Sequence, residues 1–151
     1  MRVLFCHGKE GNPKGSKAVA IGKMPGTTVV TPKLTNSYER KDFVNDLGLI
    51  EALAAGADVL VGSSRGGALV ANTKLSLRKV LIAPAWKRFG VEPNLTKEDI
   101  ILHSKHDDLV PYEDSVTLAE RFGCTLIECG VNHRMSDEAT LAEIKKAILN
   151  N

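Results

Sequence analysis

The chain lacks any stretch of 18 apolar residues, and MRVLFCHGKE at its start holds too short an apolar run for a secretory signal and no cleavage-site pattern. A membrane span and an exported product are therefore set aside, and the cytoplasm is the expected location. Like charges never run to five, and 20 Lys and Arg stand against 18 Asp and Glu, so the charge pattern of a nucleic-acid binder is missing as well. Cysteine is sparse and odd in number. Cys6, Cys124 and Cys129 form no CxxC pair, fall in or beside expected strands, and read as small buried hydrophobes, with a functional thiol left open chiefly at Cys6. Neither GxGxxG nor GxxxxGK[ST] occurs, which removes the usual phosphate-cradling loops. Only six prolines accompany thirteen glycines in a chain that is 43% hydrophobic and 25% charged, so disorder and low complexity are excluded too. What is left is one globular domain over residues 1–151.

Short β-branched runs alternate with helix-like segments. VLFC near Val3, TVVT near Val29, DVLVG near Leu60, KVLIA near Leu81, DIILH near Ile101 and TLIEC near Ile127 read as six strands. Their unbroken apolar character fits burial on both faces, and the alternation with helices predicts a mainly parallel sheet between two helical layers, a three-layer α/β sandwich. Phe43, Leu47, Ile50 and Ala54 recur at helical spacing before Gly56, giving a helix over about 39–55. Pro111 can open another, with Val116, Ala119 and Phe122 on one stripe and Gly123 as a left-handed stop. A last helix starts near Ser136, with Asp137 and Glu138 complementing its dipole and Leu141, Ile144 and Ile148 facing the sheet.

Within this layout Gly62-Ser63-Ser64-Arg65-Gly66 lies where the third strand gives way to a helix from about Gly66 to Thr73. That turn is at the carboxyl edge of the sheet, where open α/β folds keep their sites. Gly62 and Gly66 flank Ser64 as GxSxG, the pattern of a nucleophile elbow; centring on Ser63 would put Val61 and Arg65 at the crowded positions. Composition alone yields GxSxG roughly 0.06 times in such a chain, so the context matters, and a glycine-softened turn or an anion-binding helix start is the bland alternative. A serine hydroxyl needs a base, and the base a carboxylate to orient it. Downstream, HSKHDDLVP follows the fifth strand and GVNH the sixth, both at the same edge.

Here the sequence resembles the α/β-hydrolase superfamily over essentially its whole length. HSKHDDLVP is similar to the family's HGxxDxxVP and GVNH to its GxxH, so the resemblance implies Ser64 as nucleophile, Asp107 as acid and His133 as base, with Ser104 in place of the family's preferred glycine. Asp108 is the fallback acid, or else a solvated charge near Tyr112. His103 or His106 as base would crowd acid and base onto one short loop, from which both could hardly reach Ser64. The resemblance also implies oxyanion donors at the backbone N–H groups of Lys9 and Arg65, a supporting role for His7, and no metal or organic cofactor.

No antiparallel strands precede the HG strand, and only Pro84 to Glu98 separates the fourth strand from the fifth, so the layout looks like the small lidless bacterial esterases with no cap domain. Trp86 and Phe89 on that loop either line an acyl pocket or pack against the sheet. Lys9, Arg65, Lys105 and Arg134 each lie within two residues of an expected site group. They form either a basic rim that draws in an anionic substrate or a set of solvated charges partly cancelled by Glu10 and Asp108. The expected activity is a serine hydrolase acting on esters or thioesters of small acyl groups. A catalytically silent binder, a peptidase and an acyltransferase would carry the same residues.

Overall fold

The structure is a computed structural model that describes residues 1–8, 12–89 and 92–150. In chain order the elements are β1 (Arg2–Cys6), α1 (Ser16–Gly22), β2 (Thr28–Val30), α2 (Arg40–Leu53), β3 (Val59–Ser63), α3 (Arg65–Asn72), β4 (Arg78–Ile82), β5 (Ile100–His103), α4 (Tyr112–Phe122), β6 (Thr125–Glu128) and α5 (Glu138–Leu149). All six strands are parallel, in the order β2-β1-β3-β4-β5-β6.

Strand side chains alternate between two cores, which is why the runs are apolar throughout. Leu4, Cys6, Leu60, Leu81 and Ile101 face one side and pack with Phe43 and Ile50 of α2, Ala68 to Ala71 of α3, and Leu118 and Ala119 of α4. Val3, Phe5, Val59, Val61, Val80 and Ile82 face the other, against Ala18 and Ile21 of α1 and Ile144, Ala147 and Ile148 of α5. The edge strands β2 and β6 are only half-buried. Among the described residues, 83–99 contain no helix or strand. Ala85, Trp86, Phe89 and Leu95 nevertheless join the first core, so this loop covers the sheet between α3 and α4 where a helix would otherwise lie.

Three local readings change. Helix α1 was not anticipated: its seven residues follow Gly15, with no side-chain cap and no acid in the first turn to announce it. The α5 helix begins at Glu138 rather than Ser136, because Asp137 is its N-cap and its carboxylate accepts from the Thr140 N–H. The buried face of α4 centres on Ser115, Leu118 and Ala119, and Val116 is only half-buried. Ser115 can face inward because its hydroxyl finds a buried histidine. Gly123 ends α4 with φ of 72°, the left-handed stop. No helix among the described residues is long and apolar enough to cross a membrane.

Candidate active site

The strand order reverses between β1 and β3, and the carboxyl ends of β1, β3, β5 and β6 supply the groups that meet there. Ser64 is the single residue between β3 and α3, and it holds φ 56° and ψ −116°. Such a backbone costs of order 1–3 kcal/mol and persists only where the surroundings hold it. Here the Ser64 N–H donates to Ile82 O at 2.9 Å, and Ser64 O accepts from Ala85 N–H at 3.0 Å and Ala68 N–H at 3.1 Å. The flanking glycines leave no room for a side chain. A Cβ on Gly62 would run into the Gly66 carbonyl, and one on Gly66 into the Cys6 carbonyl, both of them backbone groups that cannot swing aside. Ser63 stays in the strand, buried.

His133, on the loop between β6 and α5, bridges Ser64 to Asp107. Its Nε2 is 2.9 Å from Ser64 Oγ and its Nδ1 is 2.6 Å from Asp107 Oδ2. With a carboxylate at Nδ1, that nitrogen carries the proton and Nε2 is left to accept from the serine hydroxyl. Asp107 Oδ1 accepts from the backbone N–H groups of Leu109 and Val110, each at 2.8 Å. Burial by itself raises the Asp107 carboxyl, but the hydrogen bonds from Val110, His133 and Leu109 outweigh it and hold the group below its usual value. Asp108 is exposed on the cleft wall and has no bond to His133.

A second histidine stands behind Asp107. His103, fully buried, places Nε2 2.9 Å from Asp107 Oδ2 and 3.1 Å from Val110 O, while Nδ1 is 2.6 Å from Ser115 Oγ. Both neighbours of Nε2 are acceptors, so Nε2 donates and Nδ1 accepts from the Ser115 hydroxyl. Burial is the largest influence and pushes the ring below the usual imidazole value, against the pull of Asp107, so it stays neutral. The sequence reading had weighed His103 only as a rival base; the clue to its place was the four-residue spacing to Asp107. His106 is exposed. Ser104 fills its unexpected position by donating to Gly130 O at 2.9 Å and accepting from His106 N–H at 3.0 Å, which ties the Asp107 loop to the His133 loop.

His7 braces the loop after β1: Leu34 N–H donates to its Nε2 at 3.0 Å, which leaves Nδ1 to donate to Gly8 O at 2.7 Å. Lys9 lies outside the described residues. The Arg65 N–H, first in α3, is among the donors that a helix start leaves without an intrahelical acceptor. Cys6 is buried, and burial first, then the Asp46 charge, push its thiol far up, which removes it as a nucleophile. Burial does the same to Cys124 and Cys129, pushed up to about 11.

A cleft of about 850 Å³ opens over Ser64 and His133. Phe89 and Arg134 line it, as expected, but three expectations for its walls fail. Trp86 packs in the core with its indole N–H donating to Asp114 O at 2.8 Å. The Arg65 side chain is 1% exposed, between Phe43 and Phe89 and bonded to Asp46, Thr35 and Ser37. Lys105 is exposed and reaches over the Tyr112 ring instead. The cleft instead gains Lys17, Tyr38 and Arg88, which sequence neighbourhood could not have indicated.

Solved structures of the same shape are numerous. A Xanthomonas campestris protein described as a hydrolase of the α/β superfamily aligns over 97% of this chain and 94% of its own, with 24% identity and a TM-score of 0.77. For mouse alpha/beta hydrolase domain-containing protein 10 the coverage is 99% and 88%, with 19% identity and a TM-score of 0.79. For Est1E from Butyrivibrio proteoclasticus it is 98% and 86%, with 17% identity and a TM-score of 0.74. No protein-family model and no curated protein matches the sequence. Identities this low speak to architecture alone, and the parallel sheet, its strand order and these matches agree that the chain has the α/β-hydrolase fold.

Proposed function

We propose that this protein is a serine hydrolase that cleaves carboxylic ester or thioester bonds of small acyl substrates. The observation that carries the reading is the unbroken hydrogen-bonded line from Ser64 Oγ through the His133 ring to Asp107. The strained elbow that presents the serine and the hydrolases among the fold neighbours add support.

In this reading Ser64 Oγ attacks the acyl carbonyl carbon as its proton passes to His133 Nε2. Asp107 keeps the imidazole in the right tautomer and stabilises the imidazolium. The tetrahedral oxyanion takes a hydrogen bond from the Arg65 N–H; a donor of this kind is worth about 10²–10³ in kcat. Collapse expels the alcohol or thiol, which leaves with the proton from Nε2. A water then gives its proton to the same nitrogen and attacks the acyl-enzyme, releasing the acid and restoring the Ser64 hydroxyl. Phe89 and Tyr38 offer apolar surface to the substrate, and the open cleft suits modest acyl groups.

The test is a serine-directed phosphonate probe with mass spectrometry, alongside turnover of short ester and thioester panels. Labelling at Ser64 in the native protein, lost in Ser64→Ala together with turnover, is expected. Turnover that survives Ser64→Ala, or a native protein that neither labels nor turns over any ester, removes the proposal.

A further inference from the structure

The two walls of the cleft differ in chemistry. On the side of the sheet that carries α2 and α3, the wall presents Tyr38, Ala85, Phe89 and Val110. Tyr38 and Phe89 stack with ring centroids 5.6 Å apart, and the Arg88 guanidinium caps the Tyr38 ring at 4.3 Å. On the side that carries α1 and α5 the wall is polar and positive: Ser16 and Lys17 from α1, and Arg134 and Ser136 from the loop that also carries His133. These groups are tied together. Lys17 Nζ donates to Arg134 O at 2.5 Å, Ser136 Oγ donates to Arg134 O at 3.0 Å, and Ser16 Oγ donates to Ser136 Oγ at 3.2 Å.

Charge on this wall is not balanced by the protein. Among the described residues Asp108 is the one carboxylate on the cleft, against Lys17, Arg88 and Arg134. None of the three cations forms an ion pair with a described residue, and the Arg134 guanidinium makes no hydrogen bond to one. An ammonium has three donors, so with one N–H on Arg134 O and at most a long contact to Ser136 at 3.5 Å, Lys17 keeps donor capacity for a ligand. Burial, and then the neighbouring Arg134, bring Lys17 down to about 8, the mark of two cations held together.

We propose that Lys17 and Arg134 form an anion subsite that binds a carboxylate or phosphate group of the substrate, while Tyr38 and Phe89 hold its apolar part. This assignment rests on the ester-hydrolase reading above and specifies its substrate class: an anionic ester or thioester with the charge on one side of the scissile bond and hydrocarbon on the other.

Matched ester pairs test it. 4-Nitrophenyl butyrate against 4-nitrophenyl hemisuccinate places a carboxylate on the acyl side. Phenyl butyrate against 4-(butanoyloxy)benzoate and 4-(butanoyloxy)phenyl phosphate places a carboxylate or a phosphate on the leaving group, which separates the two sources of anion. The readout is the ratio of kcat/KM for the anionic and neutral members. In at least one pair the ratio should favour the anion at low salt, shrink as ionic strength rises, and fall by about tenfold in Lys17→Gln and in Arg134→Gln, as expected for one lost charged hydrogen bond. Neutral esters cleaved with ratios that neither variant alters overturn the anion subsite and leave the hydrolase reading standing. If no ester is cleaved and Ser64 does not label, the hydrolase reading fails. The subsite then stands or falls on titrating inorganic phosphate into the Ser64→Ala protein. Saturable amide shifts confined to residues 16–18 and 134–136 support it, and their absence overturns it.

Discussion

Replacing Arg65 by methionine should unfold the protein more readily by about 3 kcal/mol, because this side chain is a buried structural cation rather than a mouth charge. Its guanidinium makes three hydrogen bonds, from Nη1 to Asp46 Oδ2 at 2.8 Å, from Nε to Ser37 O at 3.0 Å and from Nη2 to Thr35 Oγ1 at 3.1 Å. It also lies 5.5 and 5.6 Å from the centres of Phe43 and Phe89. Breaking one side of a buried pair typically costs about 3–5 kcal/mol because the other charge is stranded. Asp46 would still accept from Thr35 N–H at 3.1 Å and Thr35 Oγ1 at 2.7 Å, which places the expected loss at the lower end. That is a large share of the roughly 5–15 kcal/mol that holds a domain together. Urea unfolding followed by circular dichroism gives the value. Adding Asp46→Leu to Arg65→Met removes the stranded charge, so the double variant should be no less stable than Arg65→Met alone, a clear departure from additivity. A loss under about 1 kcal/mol for Arg65→Met, or a full additional cost for Asp46→Leu on top of it, would refute the buried-pair account.

Gly66→Ala should lower stability by more than about 3 kcal/mol or prevent folding, since its Cβ meets the Cys6 carbonyl, whereas Gly48→Ala inside α2, with open space around it, should raise Tm. His103 is held below its ordinary 6.5, so the folded state binds fewer protons there than the unfolded chain. Its stabilising contribution is complete above pH 6.5 and is lost as the pH falls below that value toward the folded pKa; stability measured from pH 8 to 5 should drop, and His103→Gln should flatten the slope. A second loss follows below 3.8, where Asp107 begins to be protonated in the unfolded chain, down through its depressed folded value. Reductive methylation with ¹³C-formaldehyde and NMR should show one lysine titrating near 8, moving upward in Arg134→Gln; no resonance below the ordinary 10.5 would contradict the packing of Lys17 against Arg134.

What the sequence could and could not reveal divides along physical lines. Glycines at fixed offsets from Ser64 report a backbone requirement, and backbone requirements are local, so the elbow was legible. The six strands were legible because burial on both faces leaves no polar phase to confuse the pattern, and with all strands parallel the loops after β1, β3, β5 and β6 must open at one edge. That Ser64, Asp107 and His133 meet there follows from topology and loop length, while the roles given them remain the proposal. Side-chain direction was not legible. Arg65 is one residue from Ser64, yet at the first position of α3 its N–H faces the elbow while its side chain turns inward beneath α2 toward Asp46. Trp86 and Phe89 are three apart on one loop, and only the turn that bonds Phe89 N–H to Ala85 O decides that Phe89 reaches the cleft. His103 looked like the last residue of a strand, and the fold of residues 104–107 brings Asp107 back onto its ring. Lys17 comes from a helix with no sequence signal and meets Arg134 across 117 residues, a contact that exists only because α1 and α5 share a face of the sheet. The positive wall is therefore a property of packing, and its charges can be read only after the two helices are in place.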